Sequence, residues 1–289
     1  MNSCIICKQV KLPEEFNVEH IIPEALGGTL KTEACCKKCN SKMGSLIDSR
    51  LSNSKAMEII RFLLKIKGKN GVRNPFPELF DSPYPDVKGY LKFNKDGSYE
   101  GFEVLPKPIV NTEDHFVIVG DTKSPGKMLQ AINKKMKKDN HTEFTINDLK
   151  GNTRLLPLGL PQINISVNSE IKYDYAIYLV PAILKITYEA SYYLLGQQYE
   201  SDSTGNEIRE VLCAVMEEKS DNIGLPTDMT FEDLNWSSPQ RYHSINLSAK
   251  GDQLICTVNL LNFLKVSVVI SEESGKYSLT NVSPIEFTF

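Results

Sequence analysis

Two Cys-x2-Cys pairs near the start of the chain have the residue type and spacing of a metal site. The pairs are Cys4 with Cys7 and Cys36 with Cys39. A two-residue spacer lets a tight turn direct both thiolates of a pair toward one point, and four thiolates suit a single tetrahedral zinc ion. The adjacent Cys35 is an alternative to Cys36 as a ligand. The spacing therefore predicts a zinc site.

The segment between the two pairs carries a second set of reactive side chains. Its 28 residues include Glu19 and His20, and it is longer than the roughly 15–20 residues of a zinc ribbon. A histidine near its ordinary pKa of about 6.5 can accept a proton at neutral pH, and a carboxylate is a hard ligand suited to magnesium or manganese. We therefore expect a structural zinc that clamps a functional loop. The alternative is a mixed site in which His20 itself binds zinc.

The first fifty residues resemble the HNH endonuclease family, whose members share a ββα-metal core. The resemblance covers about residues 4–52, which is under a fifth of the chain. It rests on several elements in a fixed order: Cys4-x2-Cys7, Glu19-His20, Gly27-Gly28, Cys36-x2-Cys39-Asn40, Gly44 and Asp48.

This resemblance implies a role for each matching residue. His20 corresponds to the general base that takes a proton from water, and Glu19 to a ligand of the catalytic magnesium or manganese ion. Asn40 corresponds to the residue that orients the histidine through backbone contacts. The last histidine of the family is absent, and Asp48 stands about where that ligand would fall. The ordinary alternatives are a helix cap for Asn40 and surface carboxylates for Glu19 and Asp48.

The charge of the chain is unevenly distributed. Residues 1–72 hold twelve Lys and Arg against seven Asp and Glu, a balance of +5, whereas the remainder, with 21 basic and 29 acidic residues, has a balance of −8. A positive segment beside the motif favours a polyanionic partner. Four basic residues near the motif are candidate nucleic-acid contacts, with a solvated face as the alternative: Lys37, Lys38, Lys42 and Arg50.

The predicted fold class is α+β. We expect an HNH-type nuclease module with structural zinc at residues 1–70, a Gly-, Pro- and Asn-rich linker at 71–85, and a larger α+β domain at 86–289 that has a regulatory or specificity role. An antiparallel sheet is expected at the C-terminus. Apolar periodicity places the helices at 124–138, 181–199 and 206–217, besides two in the nuclease module that begin near Asn40 and Ser54.

Strand patterns accompany these helices. The predicted strands are Phe16–Ile22, Gly89–Phe93, Ser98–Leu105, Phe116–Val119, Gln162–Val167, Tyr173–Val180, Tyr242–Leu247, Gln253–Leu260, Leu264–Ile270, Lys276–Asn281 and Ile285–Phe289. The stretch from Lys185 to Glu189 resembles a segment found behind HNH modules in bacterial proteins of this length, but it indicates no activity. We expect Arg209 as a buried partner of Glu189.

These patterns and the resemblance together predict a metal-dependent endonuclease that hydrolyses phosphodiester bonds in DNA, with bacterial defence as its setting. A small molecule or a protein that acts on the C-terminal domain is the expected trigger, and a homodimer is a candidate assembly. No apolar run approaches the roughly 18–20 residues that a membrane helix needs, and the start of the chain has no secretory signal, so we expect a cytoplasmic protein without membrane contact. The alternative function is a zinc-stabilised nucleic-acid-binding protein without catalytic activity.

Overall fold

The chain forms two compact units, which a computed structural model describes for most of its length. One unit contains Met1–Arg73 together with Val167–Phe289, and the other contains Asn74–Ser166. The described residues are 2–68, 70–81, 88–105, 107–112, 115–119, 125–138, 143–145, 147, 179–218, 227–280 and 282–289. The division into a nuclease module at 1–70, a linker at 71–85 and a second domain at 86–289 stays a prediction.

The first unit begins with short antiparallel ladders separated by turns. Asn2–Ser3 pairs with Val10–Lys11, and Glu19–His20 pairs with Lys31–Thr32 in a register that sets His20 opposite Lys31. Within the predicted strand Phe16–Ile22, only Glu19–His20 forms a strand. A 3-10 helix at Glu24–Leu26 begins directly after Pro23. Glu19 and His20, the two predicted site residues, therefore lie on a two-residue strand that pairs with Lys31–Thr32.

A continuous helical segment follows the second cysteine pair. It consists of an α-helix at Lys37–Met43, a π-helical turn at Gly44–Asp48 and a further α-helical turn at Ser49–Ser52. The helix thus begins three residues before Asn40. A second helix, Lys55–Leu63, begins directly after Ser54.

Residues spaced four apart line two faces of the helical segment from Lys37 to Ser52. Met43, Ile47 and Leu51 are buried on one face. Asn40, Gly44 and Asp48 have the same spacing. Residues four apart lie nearly above one another on a helix, so one face enters the core while the second aligns three residues of the motif.

The C-terminal part of this unit contains a five-stranded antiparallel sheet. Across the sheet, the strands are Met229–Phe231, Leu264–Ser271, Gln253–Leu260, Tyr242–Lys250 and Ile285–Thr288. Buried and less buried residues alternate along Gln253–Leu260, as expected for a strand with one face on a core. The edge strand Met229–Phe231 was not predicted. The region expected as a strand over Lys276–Asn281 has no strand among its described residues and starts in a 3-10 turn at Ser274–Lys276.

One helix, Val180–Leu195, forms the centre of the first unit, and we call it the buried helix. Every residue from Pro181 to Ser191 is buried, which is typical of a helix that has neighbours on all sides. It packs against the strands Gln253–Leu260 and Leu264–Ser271, and the hydroxyl of Tyr188 donates to the carbonyl of Ile5 at 2.9 Å. The buried helix therefore contacts both the sheet and the N-terminal segment.

Two further helical pieces continue from the buried helix. The predicted helix 181–199 ends at Leu195, and a 3-10 helix covers Gly196–Ser201. The next helix, Ser203–Met216, begins where the Asp202 carboxylate accepts a hydrogen bond from the backbone of Gly205. This capping contact satisfies a backbone N–H that has no partner within the helix.

The glycine pair of the motif packs tightly in the first unit. Gly27 has a φ of +87°, and a Cβ there would overlap the ring of Phe289. A Cβ on Gly28 would overlap the backbone oxygen of Ile22. The loop therefore needs glycine both for backbone conformation and for close contact with the last residue of the chain.

The described residues of the second unit include short β structures and a helix. Phe80–Asp81, Lys88–Phe93 and Tyr99–Val104 form a three-stranded sheet, and Lys107–Thr112 pairs with His115–Val119. A helix covers Pro125–Lys138. Gln162–Val167 lies outside the described residues, as does Tyr173–Val180 except for its last two residues, which are helical.

The α+β class is confirmed, with an antiparallel C-terminal sheet. Among the described helices, none is both long and apolar enough to cross a membrane.

Candidate active site

A cleft of about 810 Å³ lies along the predicted catalytic residues. His20 and Glu19 reach it from their short strand, and Asn40 and Asp48 reach it from the aligned face of the helical segment. Arg61 of the helix Lys55–Leu63 and Arg73 also line the cleft, and we call these two residues its basic side. The remaining lining residues are Asn17, Val18, Pro23, Glu24, Ala25, Gly44, Ser49, Ser52, Asn53, Gly68, Asn70 and Gly71. The cleft thus combines carboxylates, an imidazole and two guanidinium groups.

Lys185 of the buried helix inserts its ammonium group between two of these residues. Its Nζ lies 2.5 Å from Glu19 Oε1 and 3.1 Å from Asp48 Oδ2, and it donates to the backbone oxygen of His20 at 2.8 Å. The side chain of Lys185 is fully buried. A buried ammonium is stable only when anionic and polar partners replace its water, and these three contacts provide them.

A third carboxylate lies close to the same ammonium. Glu189, one helical turn after Lys185, has its Oε2 3.4 Å from Lys185 Nζ and is fully buried. Neither of its carboxylate oxygens has a hydrogen-bond partner among the described residues. The predicted partner Arg209 instead donates to the backbone oxygen of Ile6 at 3.2 Å.

Burial and the lysine act on these carboxyl groups in opposite directions. Burial raises the pKa of Glu19 and of Asp48, and the nearby Lys185 charge lowers it in part. Burial also raises the pKa of Glu189 well above its usual range. Burial disfavours the charged form of Lys185, yet the charges of Glu189, Asp48 and Glu19 outweigh it, so the Lys185 pKa lies above its ordinary value. The ammonium therefore stays charged.

His20 differs in environment from its neighbour Glu19. Both residues line the cleft, but Glu19 is buried whereas His20 is partly exposed. Burial, and then the charge of Lys31 on the paired strand, lower the pKa of His20 below its ordinary value. The imidazole is therefore neutral at pH 7, which is the form that can accept a proton.

Asn40 holds the chain just before the Glu19–His20 strand. Its Nδ2 donates to the backbone oxygen of Val18 at 3.1 Å and to Asn17 Oδ1 at 3.0 Å. These contacts connect the helical segment to the backbone two residues before His20. They have the form expected of an orienting residue, and the catalytic role of Asn40 stays a prediction.

The oxygens around Lys185 have the chemistry to hold a divalent ion. Glu19 and Asp48 both contact one cationic group, and Asp48 Oδ1 is a buried acceptor without a hydrogen-bond partner among the described residues. Hard carboxylate oxygens that converge on one point suit magnesium or manganese. The two predicted ligands are both in contact with the Lys185 ammonium, at 2.5 and 3.1 Å.

The four predicted zinc ligands come together at the base of the module. The sulfur atoms of Cys4, Cys7, Cys36 and Cys39 all lie within 4.8 Å of one another, which fits a structural metal. The backbone N–H of Cys36 donates to Cys4 Sγ at 3.3 Å. Cys35 is buried and directs its sulfur to the Cys36 backbone oxygen. Neither alternative ligand, Cys35 or His20, belongs to this four-sulfur group.

The basic residues of the cleft differ from those predicted for nucleic-acid contact. The residues Lys37, Lys38, Lys42 and Arg50 are absent from the cleft lining, and the Lys42 ammonium donates to the backbone oxygen of Met216 at 3.3 Å. Arg61 and Arg73 line the cleft instead, although they lie beyond the motif on which the prediction was based. A search for basic residues in the helix after the motif would have found Arg61.

Comparison with known proteins adds a family to this geometry. Residues 4–56 match the family model described as HNH endonuclease, and these residues include the four cysteines and the catalytic candidates Glu19, His20, Asn40 and Asp48. No curated protein and no solved structure matches the chain. The N-terminal segment of this chain is therefore similar to HNH endonuclease domains, which supports a nuclease activity on nucleic acid.

Proposed function

We propose that the chain is a metal-dependent endonuclease that hydrolyses phosphodiester bonds in DNA and leaves 5′-phosphate and 3′-hydroxyl ends. The observation that carries this proposal is the convergence of His20, Glu19 and Asp48 on one cleft within the segment that matches the HNH family. The basic side of the cleft, formed by Arg61 and Arg73, supports a polyanionic substrate.

Each residue has a defined part in the proposed reaction. His20 takes a proton from the attacking water, since its lowered pKa keeps the ring neutral. Asn40 holds the backbone that carries His20, and the two guanidinium groups bind the flanking phosphates. Glu19 and Asp48 would hold a magnesium or manganese ion, which would supply positive charge beside the scissile phosphate. The four cysteines would hold a zinc ion that stabilises the module.

Control by the C-terminal part of the chain belongs to the same proposal. Its support is the buried helix, because Lys185 on that helix contacts Glu19 and Asp48 directly. A small molecule or a protein that shifts the buried helix would change the charge at the cleft. Bacterial defence against foreign DNA is the proposed setting, by analogy with the family resemblance.

Cleavage of supercoiled plasmid in magnesium or manganese tests the proposal. The parent protein is compared with His20→Ala and with Ser45→Ala, whose side chain is exposed and absent from the cleft lining. We expect nicking by the parent and by Ser45→Ala, and at least about a hundredfold loss in His20→Ala. Equal cutting by His20→Ala would contradict the role of the base. An RNA of the same sequence, tested in parallel, distinguishes the two substrates.

A second candidate is a binding protein without catalytic activity. The observation that favours it is the Lys185 ammonium between Glu19 and Asp48, where it contacts the proposed metal ligands. This candidate predicts DNA binding that weakens steeply with salt and no nicking in any divalent ion. Nicks that disappear with His20→Ala would exclude it.

A further inference from the structure

We infer that Lys185 is an internal counter-cation for the metal site, and that a divalent ion binds by displacing its ammonium group from Glu19 and Asp48 toward Glu189. The inference rests on the proposed function of this cleft and specifies how its metal loading is controlled. Three observations carry it: the position of the ammonium, the third carboxylate, and the helix that bears both residues.

The position of the ammonium comes first. Lys185 Nζ contacts Glu19 Oε1 and Asp48 Oδ2, the two residues proposed to hold the ion. Two cations cannot neutralise the same carboxylate oxygens at these distances without strong mutual repulsion. A divalent ion held by the oxygens that now contact the ammonium, Glu19 Oε1 and Asp48 Oδ2, therefore requires the ammonium to leave at least one of them.

Glu189 offers the ammonium a second partner. Its Oε2 is 3.4 Å from Lys185 Nζ, and neither of its oxygens has a hydrogen-bond partner among the described residues. A buried carboxylate without hydrogen bonds is costly. A small movement of the Lys185 side chain toward Glu189 would close this distance to a hydrogen bond and satisfy that group.

The buried helix keeps this exchange local. Lys185 and Glu189 are four residues apart on one helix, so their side chains are neighbours. The surrounding residues Pro181 to Ser191 are all buried, so the two side chains are packed within the unit. The ammonium therefore contacts three carboxylates at once, and a metal ion that takes Glu19 and Asp48 would leave Glu189 as its carboxylate partner.

Binding of manganese alone tests the exchange, with zinc-loaded protein and no nucleic acid. Free manganese is measured by electron paramagnetic resonance for the parent, Lys185→Met, Glu189→Gln and the double variant. We expect Lys185→Met to bind manganese roughly tenfold or more tightly, because the competing charge is removed. We expect Glu189→Gln to bind roughly fivefold more weakly, because the displaced ammonium loses its second partner.

The double variant separates exchange from general electrostatics. If Glu189 acts through the lysine, Glu189→Gln has little further effect once Lys185 is Met. If Glu189 acts only by its charge, the weakening persists in the Lys185→Met background, and the inference fails. Glu210→Gln removes an exposed carboxylate on another helix and corrects for the change in net charge.

Two further outcomes bear on the inference. Should Lys185→Met unfold without manganese, the isosteric Glu189→Gln variant decides, and unchanged manganese affinity in that variant overturns the exchange. The experiment also separates this inference from the proposed function. If the Lys185 and Glu189 variants change manganese affinity as expected but the parent does not cut plasmid, the exchange is supported and the proposed nuclease activity is wrong. If the parent cuts plasmid but Glu189→Gln does not change manganese affinity, the nuclease activity is supported and the exchange is wrong.

Discussion

Lys185 and Glu19 form a buried ion pair, with Nζ 2.5 Å from Oε1 across 166 residues of sequence. The pair connects the buried helix to the short strand that carries His20. The proposed catalytic strand and the C-terminal part of the chain are therefore physically coupled.

The first prediction concerns the cost of breaking this cluster. Lys185→Met leaves Glu19, Asp48 and Glu189 without a cation, so we expect a loss of about 3–5 kcal/mol in the free energy of unfolding. Glu19→Gln leaves Lys185 with Asp48 and Glu189 as partners, and we expect a loss of about 1–3 kcal/mol. Urea unfolding of zinc-loaded protein without other divalent ions measures both. A greater loss in Glu19→Gln would show that the lysine is not the centre of the cluster.

The second prediction concerns the four-sulfur group. We expect one zinc per chain in the parent and in Cys35→Ala, and a loss of zinc in Cys39→Ser, because Cys39 belongs to the four-sulfur group and Cys35 does not. Since the metal stabilises a module with short strands, the loss should lower the melting temperature or unfold the module. Elemental analysis with thermal melting makes the measurement. Zinc loss in Cys35→Ala but not in Cys36→Ser would move the site to Cys35.

The third prediction concerns His243, a histidine outside the cleft. Its Nε2 lies 3.0 Å from the backbone oxygen of Leu26, and its Nδ1 accepts from the backbone N–H of Leu261 at 3.3 Å. The ring also stacks on Phe289 at 5.0 Å between centroids. A neutral ring with its proton on Nε2 satisfies both bonds, whereas a second proton on Nδ1 would face the N–H of Leu261. Burial is the main cause that lowers its pKa to about 4.

The pH dependence follows from this pKa. The ordinary value of about 6.5 holds for the unfolded chain, so between pH 6.5 and pH 4 the unfolded chain binds more protons. The contribution of His243 is therefore complete above pH 6.5, and about 3 kcal/mol of stability is lost as the pH falls to 4. His243→Gln keeps a donor and an acceptor but does not titrate. Urea unfolding from pH 7 to pH 4 should show a shallower decline for this variant, and equal slopes would contradict the prediction.

The fourth prediction concerns the basic side of the cleft. Arg73 is exposed and lines the cleft, and its guanidinium contacts Asn53 Oδ1 at 2.6 Å and pairs with the Glu58 carboxylate at 3.1 Å. If it binds a phosphate, Arg73→Gln should weaken duplex binding equally for different sequences and reduce the slope of log affinity against log salt by about 0.9. Lys42→Gln is the matched control, since Lys42 already bonds the Met216 backbone and should leave the slope unchanged. Fluorescence anisotropy over a salt series compares the two variants. A reduced slope in Lys42→Gln but not in Arg73→Gln would place the phosphate contact on the helix Lys37–Met43 and not in the cleft.

Local spacing was informative wherever the partners are near in sequence. The helical spacing of Asn40, Gly44 and Asp48 places them on one side of a helix, and the alternating pattern of Gln253–Leu260 matches a strand on a core. The predicted strand at Lys276–Asn281 was wrong among its described residues: a 3-10 turn covers Ser274–Lys276, and the Tyr277 hydroxyl donates to the Asp202 carboxylate at 2.7 Å.

By itself, the sequence determined the resemblance of the N-terminal segment to HNH endonucleases and the α+β class, because short motifs and periodic patterns depend on local chemistry. Only the tertiary structure decided which cation faces Glu19 and Asp48. Nothing in the spacing of Lys185 relates it to Glu19, since the contact arises when the buried helix packs against the N-terminal segment. The apolar sequence of a helix indicates that it is buried but does not identify the elements that pack against it. The partners of the buried Lys185 ammonium therefore depend on the packing of the whole unit.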